Sequence, residues 1–294
     1  MAPRFPAKRR RRKLGVAFAL LLLLGAALAL WMYRTAQADP VVRRAQVALP
    51  GLIRPLRAVL LSDIHVARPD MPPERLARIV AQVNTLWPDI VLIAGDFLGD
   101  GWLHTPVPAA EAVAPLRGLR SRLGTFAVLG NHDHWNDAPA ISAALRANGI
   151  RLLVNEAAQV GPLVLGGVDD DFTRRADMSR TLAAMEGLPG ARLILSHSPD
   201  PFAHMPGDVP LMLAGHTHCG QISFPLIGAL TYESDHGSRY GCGAVSEEGK
   251  RLIVGAGLGT SVLPLRLGAV PELWLIELRP APILPIEDGE GNHP

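Results

Sequence analysis

The first apolar run of the chain, Leu14–Tyr33 ("LGVAFALLLLLGAALALWMY"), holds 20 residues without a charge. A helix needs about 20 apolar residues to cross a bilayer, so the pattern predicts a transmembrane helix. Trp31 and Tyr33 stand at its far end, where amphipathic rings favour the membrane interface. Past a linker expected over residues 34–53, the pattern changes to short apolar runs that end in polar residues. "LRAVLLSDIH" ends in Asp63 and His65, "PDIVLIAGD" in Asp96, and "GTFAVLGNHDHW" in Asn131, His132, Asp133 and His134. "ARLILSHSP" ends in Ser196, His197 and Ser198, and "VPLMLAGHTH" in His216 and His218. A continuous run of roughly four to six apolar residues marks a strand buried on both faces.

Helical spacing separates these strands. Leu76, Ile79, Val80, Val83 and Leu86 lie on one face of a predicted helix, and residues 138–150 repeat the pattern with Gly149 as a stop. Strands alternating with helices predict a layered α/β domain with a largely buried sheet. Ligands gather outside the carboxyl ends of the strands in such sheets. All five polar endings fall there.

Charge changes the picture at the front of the chain. Arg4, Lys8, Arg9, Arg10, Arg11, Arg12 and Lys13 precede the apolar run, with no acidic residue among them. A basic flank marks the cytoplasmic side, so we expect a single-pass inner-membrane anchor with the rest of the chain outward, in the periplasm. The rival is a cleaved signal, since "AQA" at Ala36–Ala38 resembles a cleavage site. Against it, the run exceeds the roughly 7–15 residues of a signal core, and Arg34 intervenes. "RRKLG" (Arg11–Gly15) loosely resembles a twin-arginine export signal. Without those seven cations the chain carries 22 Lys and Arg against 27 Asp and Glu, a balance of −5. An acidic outward part argues against a nucleic-acid partner. Cys219 and Cys242 lie in that part, where a disulfide survives. The sequence leaves their pairing open, and the oligomeric state with it.

A single Asp or Asn after a strand is ordinary turn chemistry, and a single His is usually a satisfied polar group. Turns, however, have no reason to select His, Asp and Asn five times over. A mixed set of carboxylate, imidazole and amide oxygen suits borderline divalent metals.

In chain order the motifs are D-x-H ("SDIH"), G-D ("AGDF"), G-N-H-D ("GNHD"), the His of "SHSP", and G-H-x-H ("GHTH"). This series resembles the calcineurin-like metallophosphoesterases over residues 54–280. "GHTHCGQ" and "GLGTSVLPLRLGAVPELWLIEL" look like its membrane-anchored or exported bacterial branch. The resemblance implies a β-sheet sandwich flanked by helices, and a centre of two divalent ions (Mn, Zn or Fe). By similarity Asp63, His65 and His218 hold the first ion, Asn131, His197 and His216 the second, and Asp96 bridges them. A hydroxide shared by the ions is the implied nucleophile, and His132 the implied catalytic acid. Asp133 is expected to hold its loop and Thr217 to belong to the turn. His104, His134, His204 and His236 are expected at the surface or the pocket rim. One feature departs from the phosphoprotein phosphatases, which carry a second Asp three residues after the bridging one, followed by Arg-Gly. Here Gly99 holds that position, Asp100 comes next, and no Arg-Gly follows. A protein phosphatase is thereby disfavoured, and His132 is left without an assigned partner.

The implied activity is a metal-dependent phosphodiesterase with an envelope or lipid-related substrate. One alternative is a UDP-2,3-diacylglucosamine pyrophosphohydrolase of lipid A synthesis, which needs the domain on the cytoplasmic face. Another is a catalytically silent metal-binding envelope module, against which the intact ligand set counts. An amidohydrolase fits poorly, because the H-x-H pair comes last. For gripping substrate, Arg239 and Arg266 offer guanidinium groups that suit a phosphate, with ordinary loop charges as the competing account. "GGVDDDFTRR" (Gly166–Arg175) offers a loop with both signs of charge. The apolar stretches Phe224–Leu230 and Ser261–Gly268 are read as core contacts in preference to a membrane-resting surface or an acyl groove. Residues 281–294 are expected to be a frayed end.

Overall fold

The computed structural model describes residues 7–282, and the side chains of 11–282. The first six residues of the expected basic tail, and residues 283–294 of the expected frayed end, lie outside the described residues.

Helix α1 spans Ala7–Ala36, and its segment Arg11–Ala36 is long and apolar enough to cross a membrane. Its apolar side chains from Leu14 to Trp31 face outward. The last turns behave differently: Met32 and Ala36 are buried, and the Arg266 N–H donates to the Met32 carbonyl at 3.1 Å. The helix therefore ends seated on the domain that follows.

The segment expected to be a linker is instead the edge strand β1 (Val41–Leu49). It pairs in parallel with β12 (Glu272–Pro280) from Val41 to Leu49. Val47 and Leu49 are its buried residues. With its first half on the exposed edge, β1 lacks the continuous apolar run that betrays the inner strands.

The first sheet continues from β12 through β2 (Leu56–Leu61), β3 (Ile90–Ala94), β4 (Thr125–Val128) and β5 (Ile150–Leu152). The second is ordered β10 (Gly243–Glu247), β11 (Lys250–Val254), β9 (Leu211–Ala214), β8 (Ala191–Leu195), β7 (Leu163–Gly167), β6 (Glu156–Val160). Strands β2, β3 and β4 are mutually parallel, as are β7, β8, β9 and β11.

Leu60, Leu92 and Val128 of the first sheet share a core with Leu165, Leu193 and Leu213 of the second. Each such burial contributes about 1.5–3 kcal/mol. The outer face of the first sheet is covered by α2 (Pro73–Asn84), through Leu76, Ile79 and Val83, and by α5 (Ala138–Ala147), through Ile141 and Leu145. Met185 of α6 (Met178–Met185) and Phe202 cover the second. The layers run helix, sheet, sheet, helix, as the resemblance implies. The short helices α3 (Ala109–Val113) and α4 (Asn131–Asn136) complete the first side. The expected helices appear at their predicted places, with Gly149 at φ +78° just past α5.

Candidate metal centre

Five loops leave the carboxyl ends of β2, β3, β4, β8 and β9 and converge. Asp63, His65, Asp96, His216 and His218 all hold positive φ, between +47° and +71°. A non-glycine residue there costs of order 1–3 kcal/mol and persists only where surroundings over-determine it. Here backbone bonds do so: Asp63 N–H donates to the Gly95 carbonyl, His65 N–H to the Asp96 carbonyl, and Gly215 N–H to the His197 carbonyl. The Asp133 carboxylate accepts from the N–H groups of Asp96, Phe97 and Gly130, so it holds the loop. Gly130 tolerates no side chain, since a Cβ would strike the Asp96 carboxylate.

The polar atoms gather in two groups that share Asp96. Its Oδ2 lies 3.4 Å from His65 Nε2 and 3.3 Å from His197 Nε2. On one side His65 Nε2 is 3.1 Å from His218 Nε2, which is 3.8 Å from Asp63 Oδ1. On the other, His197 Nε2 is 2.9 Å from Asn131 Oδ1 and 3.1 Å from His216 Nδ1. His216 and His218 thus face different groups. The Ala94 carbonyl, 2.7 Å from His197 Nδ1, can only accept, which assigns a proton to Nδ1 and leaves Nε2 as the atom facing the cluster. Burial disfavours its imidazolium, but the charge of Asp96 and its hydrogen bond outweigh that and raise the His197 pKa, a proton that a bound cation would displace. Burial holds His65 and His216 down to about 3, so both imidazoles are neutral at neutral pH. Asp63 Oδ2 and His216 Nε2 are buried without a partner. Acceptors converging on two points, with orphaned lone pairs among them, are a donor set that fits two divalent cations. The structure brings all seven candidate ligands together.

His132 lies in the first turn of α4 beside this cluster. Its N–H donates to Asp96 Oδ1 at 2.9 Å, and its Nδ1 lies 2.6 Å from Asp100 Oδ1. Asn136 donates to Asp100 Oδ2 at 3.2 Å and to the His132 carbonyl at 2.8 Å, locking the pair. Burial disfavours the imidazolium, but the Asp100 hydrogen bond and the charge of Asp96 outweigh it and raise the His132 pKa. The partner missing from the motif comparison is therefore Asp100, one residue later than in the phosphoprotein phosphatases.

A cavity of about 410 Å³ opens over the cluster. Asp96, Asn131, His132, His216 and His218 line its metal side, with Trp135 packed on His132 and Phe172 on His216, and Ile222, Leu230, Val262 and Leu263 supply an apolar wall. No Lys or Arg lines it among the described residues. Neither expected arginine grips a substrate there. Arg266 is fully buried and donates to the carbonyls of Gly259, Ala269 and Ala256, bracing the loop behind His218. Arg239 is held in a two-pronged pair by Glu247.

Other expectations also need correction. His104 is no surface residue: its side chain is 1% exposed and sits 3.0 Å from Asp70 Oδ1. The His134 side chain is likewise buried, 2.8 Å from Asp169. Phe224–Leu230 is not core, because Leu226, Ile227 and Leu230 are exposed, as is Val262 of the second stretch. Thr217 does belong to the turn, donating to the Gly241 carbonyl at 2.8 Å. Cys219 and Cys242 are joined in a disulfide. Trp135 and Phe172 escaped the sequence analysis altogether. Phe172 stood inside the charged loop singled out for its acids and bases, and an isolated aromatic carries no spacing signal.

A family model described as calcineurin-like phosphoesterase matches residues 56–220. The chain is 31% identical to a "Transmembrane protein with metallophosphoesterase domain" of Bos taurus, covering 93% of this chain and 65% of the relative. The protein of that name from Danio rerio is 33% identical, over 89% of this chain and 62% of its own length. An "Uncharacterized metallophosphoesterase" of Aquifex aeolicus (strain VF5) is 30% identical, over 79% of this chain and 84% of its own length. The chain spans a little under two thirds of the two vertebrate proteins.

Proposed function

The chain belongs to the calcineurin-like phosphoesterase family, and from that premise we propose that it is a metal-dependent phosphodiesterase anchored in a membrane by α1. The observation that carries the reading is Asp96 Oδ2 standing 3.4 Å from His65 Nε2 and 3.3 Å from His197 Nε2, between two groups of acceptors. Asp63, His65 and His218 hold one ion in this proposal, Asn131, His197 and His216 the other, and Asp96 both. When bound, two such ions supply Lewis acidity and lower the pKa of a water to about 7. The ligand chemistry accepts Mn, Zn or Fe.

His132 supplies the proton chemistry. Asp100 holds its Nδ1, which leaves Nε2 directed toward Ser261 Oγ on the cavity wall, 3.3 Å away. From there it stabilises charge growing on the phosphoryl group and protonates the departing oxygen. Asp100 orients the ring and favours its protonated form.

The cavity lining favours a diester. A monoester dianion brings two charges, and beyond His132, whose charge Asp100 already shares, the lining holds Glu233 and, among the described residues, no Lys or Arg. A diester brings one charge and a second substituent, for which the apolar wall leaves room. The anchor reading is supported by the burial of Met32 and Ala36 against the domain. The basic N-terminal flank supports an outward domain, here taken from β1 to β12.

The test uses full-length chain, metal-stripped and reloaded with Mn²⁺, on bis-p-nitrophenyl phosphate and p-nitrophenyl phosphate. The diester should be preferred by about 10-fold or more, a difference of about 1.4 kcal/mol. A monoester preference would overturn the diester assignment, and no turnover of either would overturn the broad phosphodiesterase reading. Turnover confined to UDP-2,3-diacylglucosamine would instead require the cytoplasmic face.

A further inference from the structure

The membrane helix and the cavity meet on one loop. Residues 261–268 give Ser261, Val262 and Leu263 to the cavity wall. Three residues on, the Arg266 N–H is bonded to the Met32 carbonyl in the last turns of α1. Two further segments hang from that loop. The Ser223 N–H donates to the Leu267 carbonyl at 2.7 Å, pinning the small hairpin of Ser223–Phe224 and Gly228–Ala229. The Trp102 N–H donates to the Val262 carbonyl at 3.2 Å. At the tips of these segments Leu226 is fully exposed, Ile227 80% and Trp102 88% exposed, with Leu103 beside it at 64%.

Large apolar side chains bared together mark a surface that something covers. Here its position names the cover. The loop carrying the patch is the loop on which α1 ends, and the apolar side chains of α1 from Leu14 to Trp31 face outward. The patch and the end of the helix thus hang from one loop, within a few residues of each other along it. Trp102 is also the residue type that favours the interfacial layer.

We propose that this rim beds into the membrane that α1 spans, and that the cavity takes its phosphodiester from that leaflet. The substrate is amphiphilic: its phosphate lies at the Asp96 cluster, and its apolar tail runs along Trp135, Phe172, Ile222, Leu230 and Leu263 toward the rim. The substrate half of this proposal rests on the phosphodiesterase reading; the rim half rests on the packing alone.

The experiment places full-length chain in vesicles of phosphatidylethanolamine and phosphatidylglycerol, as the parent and as Leu226→Glu/Ile227→Glu. Three quantities are read: turnover of bis-p-nitrophenyl phosphate, turnover of the vesicle phospholipids, and quenching by lipids with brominated chains. The Trp102 share of quenching is the part lost in Trp102→Phe. The Trp102 fluorescence should be quenched in the parent. Phospholipid turnover should fall by about 10-fold or more in the double variant, because two charges weaken interfacial burial, while soluble diester turnover stays unchanged. Unquenched Trp102 overturns the rim; if it comes with self-association, a second copy covers the patch instead. Phospholipid turnover that is absent, or untouched by the two charges, overturns the substrate half. A parent inactive on the soluble diester sinks the phosphodiesterase reading, and quenching still decides the rim.

Discussion

The cavity has two walls held by different physics. The metal wall is the face of seven candidate ligands at the ends of five strands, buried, five of them in left-handed backbone, of which Asp96, Asn131, His216 and His218 reach the cavity. Two packed sheets behind them fix each position. The apolar wall rises from loops: the excursion between Cys219 and Cys242, tied at its root by their disulfide, and the stretch 261–268. Productive geometry at a metal or catalytic group tolerates errors of only about 0.5 Å. An apolar wall needs bulk and a greasy surface, which many residues supply. Substitution on the first wall should therefore abolish chemistry, and on the second redistribute it among substrates.

The largest effect is expected at Asp96. Asp96→Asn weakens the one shared ligand, and should cost more than the 10–100-fold (about) that outer partners of a ligand are worth. Metal analysis should show ions lost along with turnover; full metal content at full rate would erase the distinction between the walls. Next, His132→Ala should keep its metal and lose about 10²–10⁴-fold in turnover, the usual worth of a proton-transferring group. An unchanged rate would remove it from the chemistry. Asp100→Ala should lose about 10–100-fold, since a hydrogen bond to a charged partner contributes about 1.5–3 kcal/mol. Asp100 acts through His132, so the double variant should be no slower than His132→Ala alone. Additive losses would give Asp100 a separate role.

The same contrast decided what could be read from the sequence. Asp63, Asp96, Asn131, His197 and His216 were legible because few residue types serve there and each follows a buried strand with an unbroken apolar run. Strand β1 was not, because half of it lies on an exposed edge and its burial begins only at Val47. Leu226 and Ile227 read as core, since an apolar side chain looks alike in sequence whether it meets protein or lipid. Arg266 read as a phosphate grip, whereas three backbone carbonyls consume its donors. Composition cannot tell a buried guanidinium from a free one. Asp100 was visible but one residue out of step, and only the fold shows that the loop still carries it to His132.

Smaller effects belong to the second wall. Cys242→Ser should cost about 3 kcal/mol by the chain-entropy account of a loop of this size. The loss should be local, with faster proteolysis within residues 222–241 and metal content intact. Metal loss would mean that the disulfide also braces His218. Smallest of all, Leu226→Glu/Ile227→Glu should change thermal stability by no more than about 0.5 kcal/mol, as exposed substitutions do. A larger loss would return these side chains to the core.

The most direct measurement is electron paramagnetic resonance of full-length chain loaded with Mn²⁺, beside the Asp96→Asn variant. If Asp96 joins two ions, the parent should bind two per chain and give an exchange-coupled spectrum that disappears in the variant. A spectrum of isolated Mn²⁺ at full loading, alike in both proteins, would contradict the shared centre.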